Sequence, residues 1–192
     1  MNFLAHIFLS YPSEPLMFGN FIADYVKGNA YKSYPQTIQQ GIIMHRKIDA
    51  FTDQHYMVKK SISRIRDAQG KYSPVVIDMF YDHFLAANWS DFHIALPLPK
   101  FCEEVYQHFK KRAKYFPTKV KTFFPYMVKY NWLLSYAQIE GIENSLIGLS
   151  KRTSYKSNMS EATNVLMQYY EELKQDFYFF LPEIQAYCKS LI

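Results

Sequence analysis

Apolar residues recur along this chain at helical spacing, and stretches that alternate with period two are nearly absent. Val58, Ile62 and Ile65 mark one such stripe. Ile38 and Ile42 begin another, and His45 and Asp49 continue it at i+7 and i+11. Prolines, glycines and capping residues divide the pattern. Ser13-Glu14-Pro15 starts a helix that Gly28 stops, predicting a helix near 14–27. Pro35 opens a helix to about Phe51, and Thr52-Asp53 caps a third that ends at Gly70. Ser73-Pro74 starts a fourth, reaching about Asn88. Pro97 and Pro99 precede a helix to about Lys114, and Pro117 and Pro125 bracket a short one. Gly141 breaks the segment from Leu133 to Leu149, and Ser160-Glu161 opens a long helix that Pro182 kinks or ends. The pattern predicts an all-α, single-domain irregular helical bundle over residues 1–192.

Composition agrees with a packed core. Nearly half the residues are hydrophobic, 18% are aromatic, and six glycines are few for a protein of many turns. The apolar start, Met1 to Leu9, carries Asn2 and His6, lacks a basic leader and stops at Ser10-Tyr11-Pro12; it reads as a buried helix and not as a membrane span. Cys102 and Cys188 form no CxxC pair, which argues against a thiolate zinc site or a disulfide framework and for a cytoplasmic setting. The net charge of +5 is uneven. Lys110, Lys111, Arg112, Lys114, Lys119 and Lys121 lie in one run without an acid, which is either a solvated face or a surface for nucleic acid, anionic lipid or an acidic protein.

Chemistry-bearing residues collect towards the other end, where five of the six histidines lie within the first 93 residues. Asn20 and Asp24 are four apart on the first capped helix. His45 and Asp49 continue an apolar stripe, and Asp82-His83 sits among aromatics on the fourth helix. A buried carboxylate must be paired, hydrogen-bonded or metal-bound. Helical bundles form metal sites when three helices each present carboxylate or imidazole inward, so Asp24, His45, Asp82 and His83 are the candidate ligands. Asp49 is a candidate orienting group or general base, and Arg46 a candidate phosphate ligand. His6 reads either as a satisfied core histidine or as a general acid. Asp53 after Thr52 reads as a helix cap in preference to a catalyst, and Asn20 as a backbone-bonding residue. A mixed nitrogen and oxygen set suits Mn, Fe, Zn or Mg chemistry better than calcium.

These stretches resemble the bacterial acyl carrier protein phosphodiesterase family. The resemblance is carried by MNFLAHIFLS from Met1, GNFIADYVKG from Gly19, GIIMHRKIDAFTDQH from Gly41 and FYDHFLAANW from Phe80. WLLSYAQIEGIENSLIGLSKR from Trp132 and ELKQDFYFFLPEI from Glu172 extend it, so that it covers nearly the whole chain in order. It implies a cytoplasmic, Mn²⁺-dependent hydrolase that cleaves 4′-phosphopantetheine from the serine of holo acyl carrier protein. It also implies kinship with HD phosphohydrolases, although the dipeptide here is reversed, as Asp82-His83. Lys151 and Arg152 stand where the resemblance implies a phosphate-binding basic pair. An acidic carrier protein gives the Lys110–Lys121 run its partner. Two rivals share parts of this pattern: an HD-type enzyme acting on a nucleotide, and a non-catalytic helical module binding an acidic partner. Nothing in the chain matches a nucleic-acid-binding signature, so neither nucleic acid nor membrane is an expected partner.

Overall fold

The computed structural model describes residues 1–93, 95–153 and 157–191, and among these every regular element is helical. Twelve α-helices follow in order: α1 Phe3–Phe8, α2 Glu14–Ile22, α3 Gln36–Gln54, α4 Tyr56–Gln69, α5 Ser73–Ala87 and α6 Trp89–Phe92. They continue as α7 Leu98–Lys111, α8 Thr118–Lys129, α9 Trp132–Ser135, α10 Ile139–Ser150, α11 Ala162–Gln168 and α12 Tyr170–Lys189. The all-α expectation holds.

The helices wrap around α5, which is mostly apolar and buried along most of its length from Val76 to Ala86. It contacts α1, α4, α10 and α12. The most extensive packing in the molecule is between α2 and α3. Two glycines permit it. A Cβ on Gly19 would lie against the Ile38 carbonyl and 2.9 Å from the Gly41 Cα, so a side chain at either position would force the helices apart. One residue beyond Gly19 is Asn20, and one turn beyond Gly41 is His45. The close approach therefore brings those two polar side chains together.

Several boundaries differ from the sequence expectation, each for a local reason. The first capped helix ends at Ile22 and gives way to a 3-10 turn over Ala23–Tyr25, which carries Asp24 off the helix. Helix α3 continues through Thr52-Asp53, so neither residue caps α4. His55 does so instead, its Nδ1 accepting the Met57 amide at 3.2 Å. The break near Gly141 falls before it, between Ser135 and Ile139, and Gly141 is needed because a Cβ there would collide with the Ser135 carbonyl. Helices α8 and α12 run through Pro125 and Pro182, both on exposed sides of their helices. No described helix is long and apolar enough to cross a membrane.

Candidate metal centre and its cleft

His45 is the best-determined side chain of the site. Its Nδ1 lies 2.9 Å from the Asn20 carbonyl and 3.0 Å from Asn20 Oδ1. Both are acceptors, so Nδ1 carries the proton and donates. Asn20 is fully buried, and its own amide donates to the His6 carbonyl at 2.9 Å, tying α1 to α3 through α2. The other imidazole nitrogen, Nε2, then faces two carboxylates: Asp24 Oδ1 at 3.2 Å and Asp49 Oδ2 at 3.1 Å. His6 stacks on His45 with ring centres 3.9 Å apart, and its Nε2 lies 3.1 Å from Asp49 Oδ1. Asp49 thus bridges both imidazoles. Donor atoms of His6, His45 and Asp49 all lie within 4.8 Å of one another.

The electrostatics follow from this crowding. Burial works against charge on His45, but the Asp24 and Asp49 carboxylates outweigh it and lift the imidazole to about 9. Burial, reinforced by the neighbouring His45, pushes His6 down to about 4. Burial would raise Asp49, yet hydrogen bonds from the two imidazoles hold it far below the usual carboxylate range. The His45 hydrogen bond likewise holds Asp24 low against its burial. Two anionic carboxylates thus converge on Nε2 of a histidine whose other nitrogen is committed. That arrangement demands a cation between them, either a proton on Nε2 or a metal ion in its place. The tautomer that Asn20 imposes leaves Nε2 as the lone-pair donor whenever His45 is neutral. Two imidazoles and the Asp49 carboxylate, with Asp24 outside their set but beside His45 Nε2, are donors that fit a divalent transition metal. His6 Nε2 also lies 3.1 Å from the Met1 carbonyl, an acceptor, so that nitrogen carries the proton, while its buried Nδ1 has no hydrogen-bond partner.

The cluster opens into a cleft of about 780 Å³. Asp24, His45, Asp49, Asp53 and Asp78 line the acidic side, where Asp78 holds the Met1 amino group at 2.8 Å. Phe3, Tyr25, Phe123 and Trp132 line another side, with Phe123 and Trp132 parallel at 6.0 Å between ring centres. Helix α10 and the turn after it supply Gly141, Asn144, Ser145, Gly148, Leu149 and Arg152. These small and polar residues recur at i, i+3/i+4, i+7 and i+11, a helical stripe visible in the sequence and not used there.

The structure does not bring the other two candidate ligands to this cluster. Asp82 lies on α5, where its carboxylate accepts the backbone amides of Leu4 at 2.8 Å, Ala5 at 3.2 Å and Asn2 at 3.3 Å. It caps the start of α1, and burial pushes it up to about 7 despite those donors. His83 is held between the Tyr136 carbonyl at 2.8 Å and the Tyr170 hydroxyl at 3.0 Å, so both its ring nitrogens are occupied. His55 is spent on its cap and on Glu183 at 3.1 Å. Arg46 does not face a phosphate position. It donates to the Val26 and Gly28 carbonyls and lies over the Tyr31 ring, clasping the segment after Asp24. Of the basic pair, Arg152 lines the cleft, its Nε donating to the Gly148 carbonyl at 3.0 Å, whereas Lys151 is exposed and outside the lining. In the basic run, Lys110, Lys111, Lys114, Lys119 and Lys121 are exposed. Arg112 is not available with them, since Glu14 binds it at 2.9 Å.

By class, this is an all-helical protein whose α1, α2 and α3 assemble a buried cluster of histidines and carboxylates, able to hold a cation, at the wall of a deep cleft. The model of the acyl carrier protein phosphodiesterase family matches residues 1–184, and the chain belongs to that family. Relatives of that name run its full length. The protein of Yersinia pestis is 30% identical over all of both chains, and that of Photorhabdus laumondii subsp. laumondii is 30% identical over 95% of this chain and 92% of its own. That of Enterobacter sp. (strain 638) is 29% identical over 99% of this chain and 98% of its own. No solved structure matches the chain.

Proposed function

We propose that the protein is a cytoplasmic, metal-dependent phosphodiesterase that removes 4′-phosphopantetheine from the serine of holo acyl carrier protein. One observation carries the reading: Asn20 fixes His45 so that its Nε2 meets Asp24 and Asp49, with His6 alongside, at the wall of a cleft large enough for an extended arm. Family membership supplies the substrate class.

His45, Asp49, Asp24 and His6 would hold the ion, which we propose to be Mn²⁺. Bound there, it would neutralise charge on phosphoryl oxygens and acidify water. Asp49, anionic across the physiological range, suits holding the ion; a carboxylate held so low is a weak proton acceptor, so the proton of the attacking water goes to solvent, which returns one to the departing serine oxygen. His6, neutral above its lowered pKa of about 4, is a poor proton donor to the departing serine oxygen, and its Nε2 would ligate on giving up the hydrogen bond to the Met1 carbonyl. Arg152, across the cleft beyond the end of α10, is the remaining candidate to hold a phosphoryl oxygen through its terminal nitrogens. The Phe3, Phe123 and Trp132 wall opposite the small residues of α10 gives the arm an apolar side and a polar side. A kinship with HD phosphohydrolases is compatible with a helical His–Asp site, with the ligands drawn from α1, the turn after α2, and α3.

The test is mass spectrometry of holo carrier protein incubated with the protein and Mn²⁺. The expected result is apo carrier protein plus released phosphopantetheine. An unchanged mass with folded, Mn²⁺-loaded protein, or turnover confined to nucleotides in a substrate panel, would overturn the reading.

A further inference from the structure

A second recess lies on the opposite side of α8 from the metal-site cleft. Phe123 of α8 and Tyr130 just after it face the cleft, whereas Phe124, Pro125, Val128 and Lys129 line a separate cavity of about 570 Å³. Its floor is apolar, closed by Phe116 and Phe124, and Lys110, Lys121 and Lys129 stand on its rim. From Val105 to Ile139 the sequence contains seven Lys or Arg residues and no Asp or Glu. Arg112 alone among them is neutralised, by Glu14. The lining of the recess therefore carries three lysines and no acid, at a range where screening by salt over about 8 Å is incomplete.

From this geometry we infer that the α7–α8 groove is a docking socket for an acidic amphipathic helix of the carrier protein, with one apolar side chain inserted between the lysines. The shape separates this occupant from others. A membrane surface is met by projecting apolar side chains; Tyr126 projects beside the groove, but Phe116 and Phe124 at its floor are buried, and only a projecting partner reaches them. A nucleic-acid backbone needs the lysines but leaves an apolar floor unused. A helix with carboxylates flanking an apolar residue uses both: the lysines steer it and the floor holds it. Because α8 is the shared wall, a partner seated there lies beside the cleft that must receive its prosthetic arm. The inference rests on the proposed function only in taking the carrier protein as the partner.

The experiment measures binding of apo carrier protein, which has no prosthetic arm, by fluorescence anisotropy, and hydrolysis of holo carrier protein and of bis-nitrophenyl phosphate by the same variants. The double variant Lys121→Glu/Lys129→Glu, both exposed positions, should weaken apo carrier binding by about tenfold or more and raise KM for the holo form. Its kcat and its rate on the small diester should be unchanged. Val128→Gln, which adds no charge, should weaken binding about threefold or more through the lost apolar contact. Lys189→Glu, remote on α12, should match the wild type. Thermal melts establish that each variant is folded. Equal effects of the Lys189 variant and the double variant, normal binding by Val128→Gln, or no binding of apo carrier by the wild type would each overturn the socket. So would variants that lose binding to phosphatidylglycerol vesicles while keeping the carrier protein. If groove variants lose apo carrier binding and the wild type does not hydrolyse the holo form, the socket stands and the proposed function falls. Normal turnover with normal groove-variant binding has the opposite meaning.

Discussion

Two helices each carry a histidine and an aspartate among apolar neighbours, and they put them to different uses. On α3, His45 and Asp49 lie at the edge of the buried stripe and face a cleft, and the bonds made by His45 Nδ1 leave Nε2 directed at carboxylates. On α5, Asp82 and His83 lie inside a helix surrounded by others, and every polar atom of theirs is already spoken for by the amides of α1, the Tyr136 carbonyl and the Tyr170 hydroxyl. Residue type and helical spacing do not separate the two cases. What separates them is whether the partners that a buried polar atom requires come from the protein itself or are left to a ligand.

The contrast is most directly tested at α3. His45→Ala or Asp49→Ala should lower phosphodiester hydrolysis on the order of 10³-fold, with Mn²⁺ binding lost by isothermal titration. A variant that keeps both would remove α3 from the site. Asn20→Ala, which removes no proposed ligand, is expected to cost about 10–100-fold in metal affinity by releasing His45 from its tautomer. Because Asn20 also joins α1 to α2, its melting temperature must be read beside the affinity.

On α5 the same kind of substitution should act through stability. Asp82→Ala leaves three backbone amides of α1 without their acceptor and should cost about 1–3 kcal/mol in denaturant unfolding. Hydrolysis per folded molecule should be retained. Loss of activity and of Mn²⁺ binding in a stably folded Asp82→Ala protein would show that α5 belongs to the metal centre after all. The remaining test is a pH trend in metal-free protein. With its pKa lifted from 6.5 to about 9 in the fold, His45 contributes stability that is complete below pH 6.5 and is lost as pH rises through about 9. The wild type should therefore lose stability relative to His45→Gln over that interval. Parallel curves for the two proteins would mean that His45 is not charged in the absence of metal.

Much of this protein was determined by its sequence alone. Helical periodicity, few glycines and proline punctuation specify an all-α bundle, since apolar spacing decides which face of each helix seeks the core. The stripe through Ile38, Ile42, His45 and Asp49 was legible for the same reason, and the motifs of the first 90 residues pointed to the family. The tertiary structure decided what periodicity does not encode. It set the Gly19–Gly41 approach that brings Asn20 onto His45, the turn that carries Asp24 to the same point, and the Glu14 carboxylate that takes Arg112 out of the basic surface. It also decided that α5 is enclosed where Asp82 and His83 sit, so that this Asp–His pair serves packing. A sequence states which residues a helix turns inward; whether inward means a backbone amide or an open cleft depends on which other segments arrive there.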